Sequence, residues 1–252
     1  MYKPFIAAIL AVSSTSTHAW WQPAPGTSWQ IQFSGPINTN LPVQAYDIDL
    51  FDSPVSLINT LHSQGKKVIC YISAGTFENW RPDASRFPIE VKGRKVGGWA
   101  GEKWLDIRRL DVLTPIMKDR LALAVQKGCD AIDADNVDGY SNRTGFTLKA
   151  TDQLAYNRML ANEAHSLGLG IGLKNDLNQI PDLVGLFDFA INESCMVWNE
   201  CSLVSPFVAS GKAVFHIEYQ ADISSICAVG SSYGFNSLKK NSSLDEWAER
   251  CQ

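Results

Sequence analysis

The chain has 252 residues, of which 45% are apolar, 10% aromatic and 19% charged, with a formal net charge of −4. That mix excludes a disordered tail, a fibrous repeat and a coiled coil. The excess of acid over base argues against a partner held by phosphate neutralisation, so no nucleic acid is expected, while a cationic substrate remains compatible.

The first residues read as a targeting segment. Met1-Tyr2-Lys3 supplies one positive charge, Phe5 to Val12 is an apolar run, and Thr17-His18-Ala19 resembles a small-residue cleavage site. A signal peptide is therefore expected over residues 1–19. The apolar run falls short of the roughly 20 residues that span a bilayer, and no later stretch reaches that length. No membrane attachment is expected after cleavage, and the protein reads as secreted or periplasmic. Six cysteines, Cys70, Cys129, Cys195, Cys201, Cys227 and Cys251, agree with an oxidising compartment. Cys195 and Cys201 could close a small loop, and Cys227 and Cys251 could fasten the C-terminal tail. Cys70 and Cys129 sit on or beside predicted strands, where free buried thiols are also common. Neither a CxxC pair nor a His/Cys cluster occurs, so no metal or cofactor is expected.

In chain order, short β-rich runs alternate with helical patterns. Strands are expected at 29–33, 45–50, 67–73, 131–136, 170–175, 187–193 and 213–219, with a weak eighth near 233–238. Helices are expected at 54–64, 112–127, 152–167, 180–186 and 202–210. Several stop at a glycine, as at Gly65, Gly128, Gly168 and Gly211, just before the next strand. That alternation predicts a single α/β domain over residues 20–252, a (β/α)8 TIM barrel. A doubly wound open sheet is the other arrangement, but no GxGxxG fingerprint follows the first strand. Residues 73–111 form a long excursion carrying Trp80, Trp99 and Trp104, too aromatic for a disordered loop.

In a parallel barrel, catalytic side chains sit at the C-terminal strand ends. Nearly every predicted strand ends in an ionisable group: Asp47 and Asp49, Tyr71, Asp133 and Asp135, Lys174 with Asn175, Glu193, and Glu218. Burying the Glu193 carboxylate at the end of an apolar strand is costly, which favours a catalytic role over a structural one. Lys174 could hold a carboxylate in place or act as an amine nucleophile. Glu218 reads equally as a substrate ligand and as a partner of Lys174. Converging carboxylates in an aromatic-rich cleft point to glycoside hydrolysis. A serine hydrolase is excluded by the lack of a GxSxG elbow.

Six runs, Asp47–Phe51, Val68–Gly75, Asp133–Tyr140, Gly172–Asn175, Phe187–Glu193 and Lys212–Tyr219, together resemble glycoside hydrolase family 114, which contains the endo-α-1,4-polygalactosaminidases. The resemblance keeps the order of the motifs from about Trp20 to Tyr219. It implies a barrel that cuts within α-1,4-linked galactosamine-rich polysaccharide, and it places the family's acidic pair on Asp135 and Glu193. The working hypothesis takes Glu193 as general acid and Asp135 as nucleophile or base, and a monomer is expected. It also implies that Asp49, Tyr71, Lys174, Asn175 and Glu218 line the cleft around the bound sugar. Ala134 stands where the family often has proline. A sugar-binding barrel without catalysis and a hydrolase of another α-glycan are the alternatives.

Overall fold

The computed structural model describes residues 20–251, so the expected signal peptide at 1–19 lies outside the described residues. In chain order the elements are β1 (Trp29–Ile31), β2 (Ala45–Asp49), α1 (Val55–Ser63), β3 (Lys67–Ser73), β4 (Thr76–Glu78), β5 (Lys92–Lys95), β6 (Glu102–Leu105), α2 (Leu110–Lys127), β7 (Ala131–Asp135) and α3 (Ala150–Ser166). They continue as β8 (Gly170–Lys174), α4 (Ile180–Leu183), β9 (Phe189–Glu193), α5 (Cys195–Trp198), α6 (Ser205–Ala209), β10 (Val214–Glu218), α7 (Ile223–Tyr233), β11 (Asn236–Lys240) and β12 (Ala248–Arg250).

Eight strands pair in parallel in the order β1-β2-β3-β7-β8-β9-β10-β11, and β12 adds to β11 in antiparallel. The ring is the expected barrel, not the open sheet, and its seam is sealed by side chains and by the tail. Trp29 Nε1 on β1 donates to Asn236 O on β11 at 2.9 Å, and Gln30 Nε2 donates to Glu246 O at 2.9 Å. Phe33 N donates to Leu244 O at 2.8 Å. The eighth parallel strand begins three residues later than the weak signal at 233 indicated. Helix α7 and the antiparallel β12 went unread: α7 is rich in serine and glycine among its apolar residues, and β12 is only three residues long with no buried side chain.

Alternation along each strand divides the core in two. Tyr46, Ile48, Val68, Cys70, Ile132 and Val214 face outward under the helices, whereas Trp29, Ile31, Ile69, Phe189, Ile191, Phe215 and Ile217 fill the lumen. The lumen floor is aromatic: Phe215 packs against Trp29 at 4.7 Å and Phe189 at 5.5 Å between ring centroids. Gly172 makes room for it, since a Cβ there would meet Phe189 Cε2 at 2.4 Å. At the same end of the barrel Trp20 stacks on His165 and donates through Nε1 to Asp188 at 2.9 Å.

All six cysteines are bridged, as Cys70–Cys129, Cys195–Cys201 and Cys227–Cys251. The last two are the pairs the sequence suggested. The first corrects the free-thiol alternative: Cys70 on β3 and Cys129 just before the adjacent β7 stand 5.9 Å apart at Cα. That bridge closes a 59-residue span containing the whole excursion. Removing it in a Cys70→Ala/Cys129→Ala variant is expected to cost about 4 kcal/mol in chemical denaturation, because the unfolded chain regains the freedom of a long loop. An unchanged denaturation midpoint would contradict this.

Candidate active site

The inward register carries one side chain from each of six strands to the open end of the barrel: Asp49, Tyr71, Asp135, Lys174, Glu193 and, one residue beyond β10, Tyr219. All six line a cavity of about 460 Å³. The chain then turns away sharply. Asn136, Asn175 and Ser194, the residues immediately after Asp135, Lys174 and Glu193, adopt left-handed backbone with φ of 61°, 51° and 64°. Such conformations are costly for residues other than glycine and persist where the surroundings over-determine them. Gly75 is part of that determination, since a Cβ there would lie 1.7 Å from Asn136 O.

At the centre is Lys174, only 3% exposed in its side chain. Its Nζ lies 3.5 Å from Asp133 Oδ2, 3.5 Å from Asp135 Oδ1 and 3.4 Å from Glu193 Oε1. Burial alone would strip its proton, but the three carboxylates outweigh burial and hold its pKa well above the usual lysine value. An ammonium so held disfavours the amine-nucleophile reading and fits that of a counter-ion holding the carboxylates in place. Because one Nζ touches both, the Asp135 and Glu193 oxygens are no further apart than those two contacts laid end to end. Tyr71 donates its hydroxyl to Asp135 Oδ2 at 3.0 Å, and Asn136 N donates to Asp135 Oδ1 at 2.8 Å. The Tyr219 hydroxyl pairs with Glu193, and burial, followed by the Glu193 charge, raises the tyrosine's pKa. Beneath this layer Asp47 is wholly buried with no partner on either oxygen. Burial first, and the charge of Asp133 second, hold its carboxyl well above the usual range.

Three expected ligands take up other duties. Asn175 lines the cavity, but its Oδ1 accepts from Glu193 N at 3.0 Å and Asn192 Nδ2 at 3.2 Å, fixing the exit of β9. Asp49 is gripped by Arg81 at 2.9 and 2.6 Å and accepts from the backbone of Phe51 and Asp52. Glu218 is the correction. It is fully buried and belongs to the outward-facing set of β10, so it neither lines the cavity nor pairs with Lys174. Its Oε1 accepts from Met196 N at 2.8 Å and meets His216 Nε2 at 3.1 Å, bracing the loop after β9.

Sequence reading missed the second wall. The excursion folds as a three-stranded antiparallel sheet, β4-β6-β5, that contributes Glu78, Arg81, Glu102 and the indoles of Trp80, Trp99 and Trp104 to the cavity. Trp80 and Trp99 are 48% and 60% exposed, which leaves their faces free for a sugar ring. Arg81 and Lys174 are the only cations among the lining residues, and carboxylates outnumber them. No spacing in the sequence announced these acids; only the tryptophans marked the segment.

The sequence matches the description glycoside-hydrolase family GH114 over residues 11–252. The chain belongs to this family. It is a glycoside hydrolase, acting on O-glycosyl bonds. Among solved structures it is similar to Aspergillus fumigatus Ega3 in complex with galactosamine, at 42% identity and TM-score 0.88, covering 93% of this chain and 99% of that one. The glycoside hydrolase domain of PelA from Pseudomonas aeruginosa shares the fold at 14% identity and TM-score 0.70, covering 89% and 98% of the two chains. No curated protein matches the sequence.

Two outcomes follow from the electrostatics. Lys174→Met leaves three carboxylates without their counter-ion and is expected to cost about 3–5 kcal/mol of stability with at least a hundredfold loss of turnover. Denaturation and initial rates check both, and a variant as stable as the parent would refute the counter-ion role. Burial, opposed by the Thr76 hydrogen bond and reinforced by the charges of Glu78 and Asp135, pushes Glu102 from 4.5 to about 7. Stability supplied by its protonated form is therefore complete below about pH 4.5 and lost as pH rises through 7. In urea titrations Glu102→Gln should flatten that decline by roughly 3 kcal/mol; an unaltered slope would assign the decline elsewhere.

Proposed function

We propose that the protein is an exported, endo-acting hydrolase of α-1,4-linked galactosamine-rich polysaccharide, working through Glu193 as general acid and Asp135 as nucleophile. The observation that carries this reading is the meeting of both carboxylates at one buried ammonium inside an acidic, tryptophan-walled cavity. Membership of the family and the 42% identity with Ega3, solved with galactosamine, support the substrate. A 2-amino sugar is cationic near neutral pH, and a cleft with more acids than bases concentrates it. The leader-like first residues and three disulfides support export.

The roles follow from how each carboxylate is held. Asp135 receives a tyrosine hydroxyl, a backbone N–H and the Lys174 ammonium, three donors that favour an anion ready to attack the anomeric carbon. Glu193 has fewer partners and the more exposed side chain, 28% against 23%, and can deliver a proton to the departing oxygen. The ceiling on their separation lies near the bottom of the roughly 6.5–9.5 Å common to inverting enzymes and accommodates the roughly 5–5.5 Å of retaining ones. Of the two courses we propose double displacement, which uses the shorter part of that span. Asp135 forms a glycosyl ester as the leaving oxygen takes the Glu193 proton; the Glu193 carboxylate then draws a proton from water that releases the sugar.

Glu193→Gln and Asp135→Asn should each lower turnover on partly deacetylated α-1,4-galactosaminan by several orders of magnitude while the circular dichroism spectrum stays unchanged. Proton NMR of the fresh reducing ends should show the α anomer first. Near-parental activity in either variant, or initial release of the β anomer, would defeat the assigned roles.

A further inference from the structure

On the other side of Glu193 a second cavity of about 230 Å³ opens, sharing Asp138, Asn175 and Glu193 with the first. Asp135, Lys174 and Tyr71 line the first alone. The sugar that would be transferred to Asp135 therefore belongs in the first cavity, and the second receives the leaving-group side of the cut. Its remaining walls include Tyr140, Asp176, Trp198 and Glu200, and no lysine, arginine or histidine lines it.

Asp176 is the telling group. It follows Asn175 in left-handed backbone, with φ of 49°, and is only 4% exposed. Its Oδ2 accepts from Asn157 Nδ2 at 2.9 Å, the Tyr140 hydroxyl faces the same carboxyl, and Oδ1 meets no donor at hydrogen-bonding geometry. Burial, and after it the charge of Asp138, push Asp176 up to about 8; burial, and after it the charge of Asp135, push Asp138 up to about 6. In the first cavity Asp49 and Glu78 have Arg81, and Asp135 and Glu193 have Lys174. Here Asp176 has no basic side chain to answer it, and Asp138 feels only the Lys174 charge of the neighbouring cavity, an arrangement that is costly unless a ligand supplies the cation. Trp198, 71% exposed, stands beside them on the short loop closed by the Cys195–Cys201 bridge and braced from behind by Glu218.

We propose that this second cavity is a subsite for the free 2-ammonium group of the hexosamine residue on the leaving-group side of the cleaved linkage, with Asp176 as its principal acceptor, Asp138 and Glu200 beside it, and Trp198 as the stacking face. The inference rests on the hydrolase reading above and adds a rule to it. The ammonium brings both charge and N–H donors to the Asp176 carboxyl, which lines this cavity without a cation, whereas an N-acetyl group is neutral and larger. Cleavage therefore requires a deacetylated residue at this position while leaving acetylation elsewhere along the polymer unconstrained by this cavity.

The test digests partly N-acetylated α-1,4-galactosamine oligomers and identifies by mass spectrometry the sugar at each newly formed non-reducing end, which is the residue that occupied this subsite. The parental enzyme should yield free galactosamine there at least tenfold over its N-acetyl form. Asp176→Asn should lower kcat/KM on fully deacetylated oligomers at least tenfold and erase the end-group preference. Glu200→Gln, on the outer wall, should weaken the same preference severalfold and keeps the test open if the buried variant fails to fold. Equal acetylated and free ends from the parental enzyme, or variants that lose rate while keeping the preference, would overturn the subsite. Failure of the parental enzyme to cut any galactosaminan would instead overturn the reading beneath it.

Discussion

One ammonium among three carboxylates sets the terms for the rest of the molecule. Asp133, Asp135 and Glu193 come from β7 and β9, and Lys174 rises between them from β8. Like charges this close repel strongly in a poorly solvated interior, so the acids could not share the space without a cation at their centre. The same ammonium fixes where the Asp135 and Glu193 oxygens sit, which makes charge compensation and the geometry of the proposed catalytic pair a single requirement. One layer down, burial and the charge of Asp133 outweigh the attraction of the same lysine and hold the Asp47 carboxyl well above the usual range.

The second wall is tied to the barrel by the same logic. Arg81 leaves the excursion to clasp Asp49 at the end of β2 while holding Glu78 at 2.9 Å on its own sheet. Arg120 performs a comparable service below, joining Asp83 to Ser73 O. These buried ion pairs pin an antiparallel flap onto parallel strands, and Phe77, Phe87, Val91 and Leu105 carry the flap's apolar side into the same core as the barrel. The Cys70–Cys129 bridge encloses the flap at its base, so the wall that presents Trp80 and Trp99 is positioned by charge, covalency and burial together.

Much of this was legible before any coordinates. Asp135 and Glu193 stand out because the strands preceding them are apolar and the chain breaks immediately after, which is how a barrel displays a side chain at its mouth. Parity could also have sorted the seventh strand. If Phe215 and Ile217 fill the lumen, then Tyr219 must share their face and Glu218 must oppose it; judged by charge instead, Glu218 was taken for a ligand. The excursion acids were hidden for a different reason. Glu78 and Glu102 reach the cavity only through long-range pairing of β4 with β6, and nothing local in the sequence encodes that pairing. The closing strands were similarly faint, since a seam held by Trp29, Gln30 and tail carbonyls has no apolar rhythm to read.

The aromatic floor has a consequence for how a polymer is handled. With Phe189, Phe215 and Trp29 plugging the lumen, the barrel is a bowl, and nothing can thread through it. On the proposed function, a long glycan lies across the brim over Asp135 and Glu193 with both tails trailing into solvent. Such a seat asks for no chain terminus, so scission in mid-strand is the natural outcome of the architecture, and each cut frees two fragments that can lift off independently.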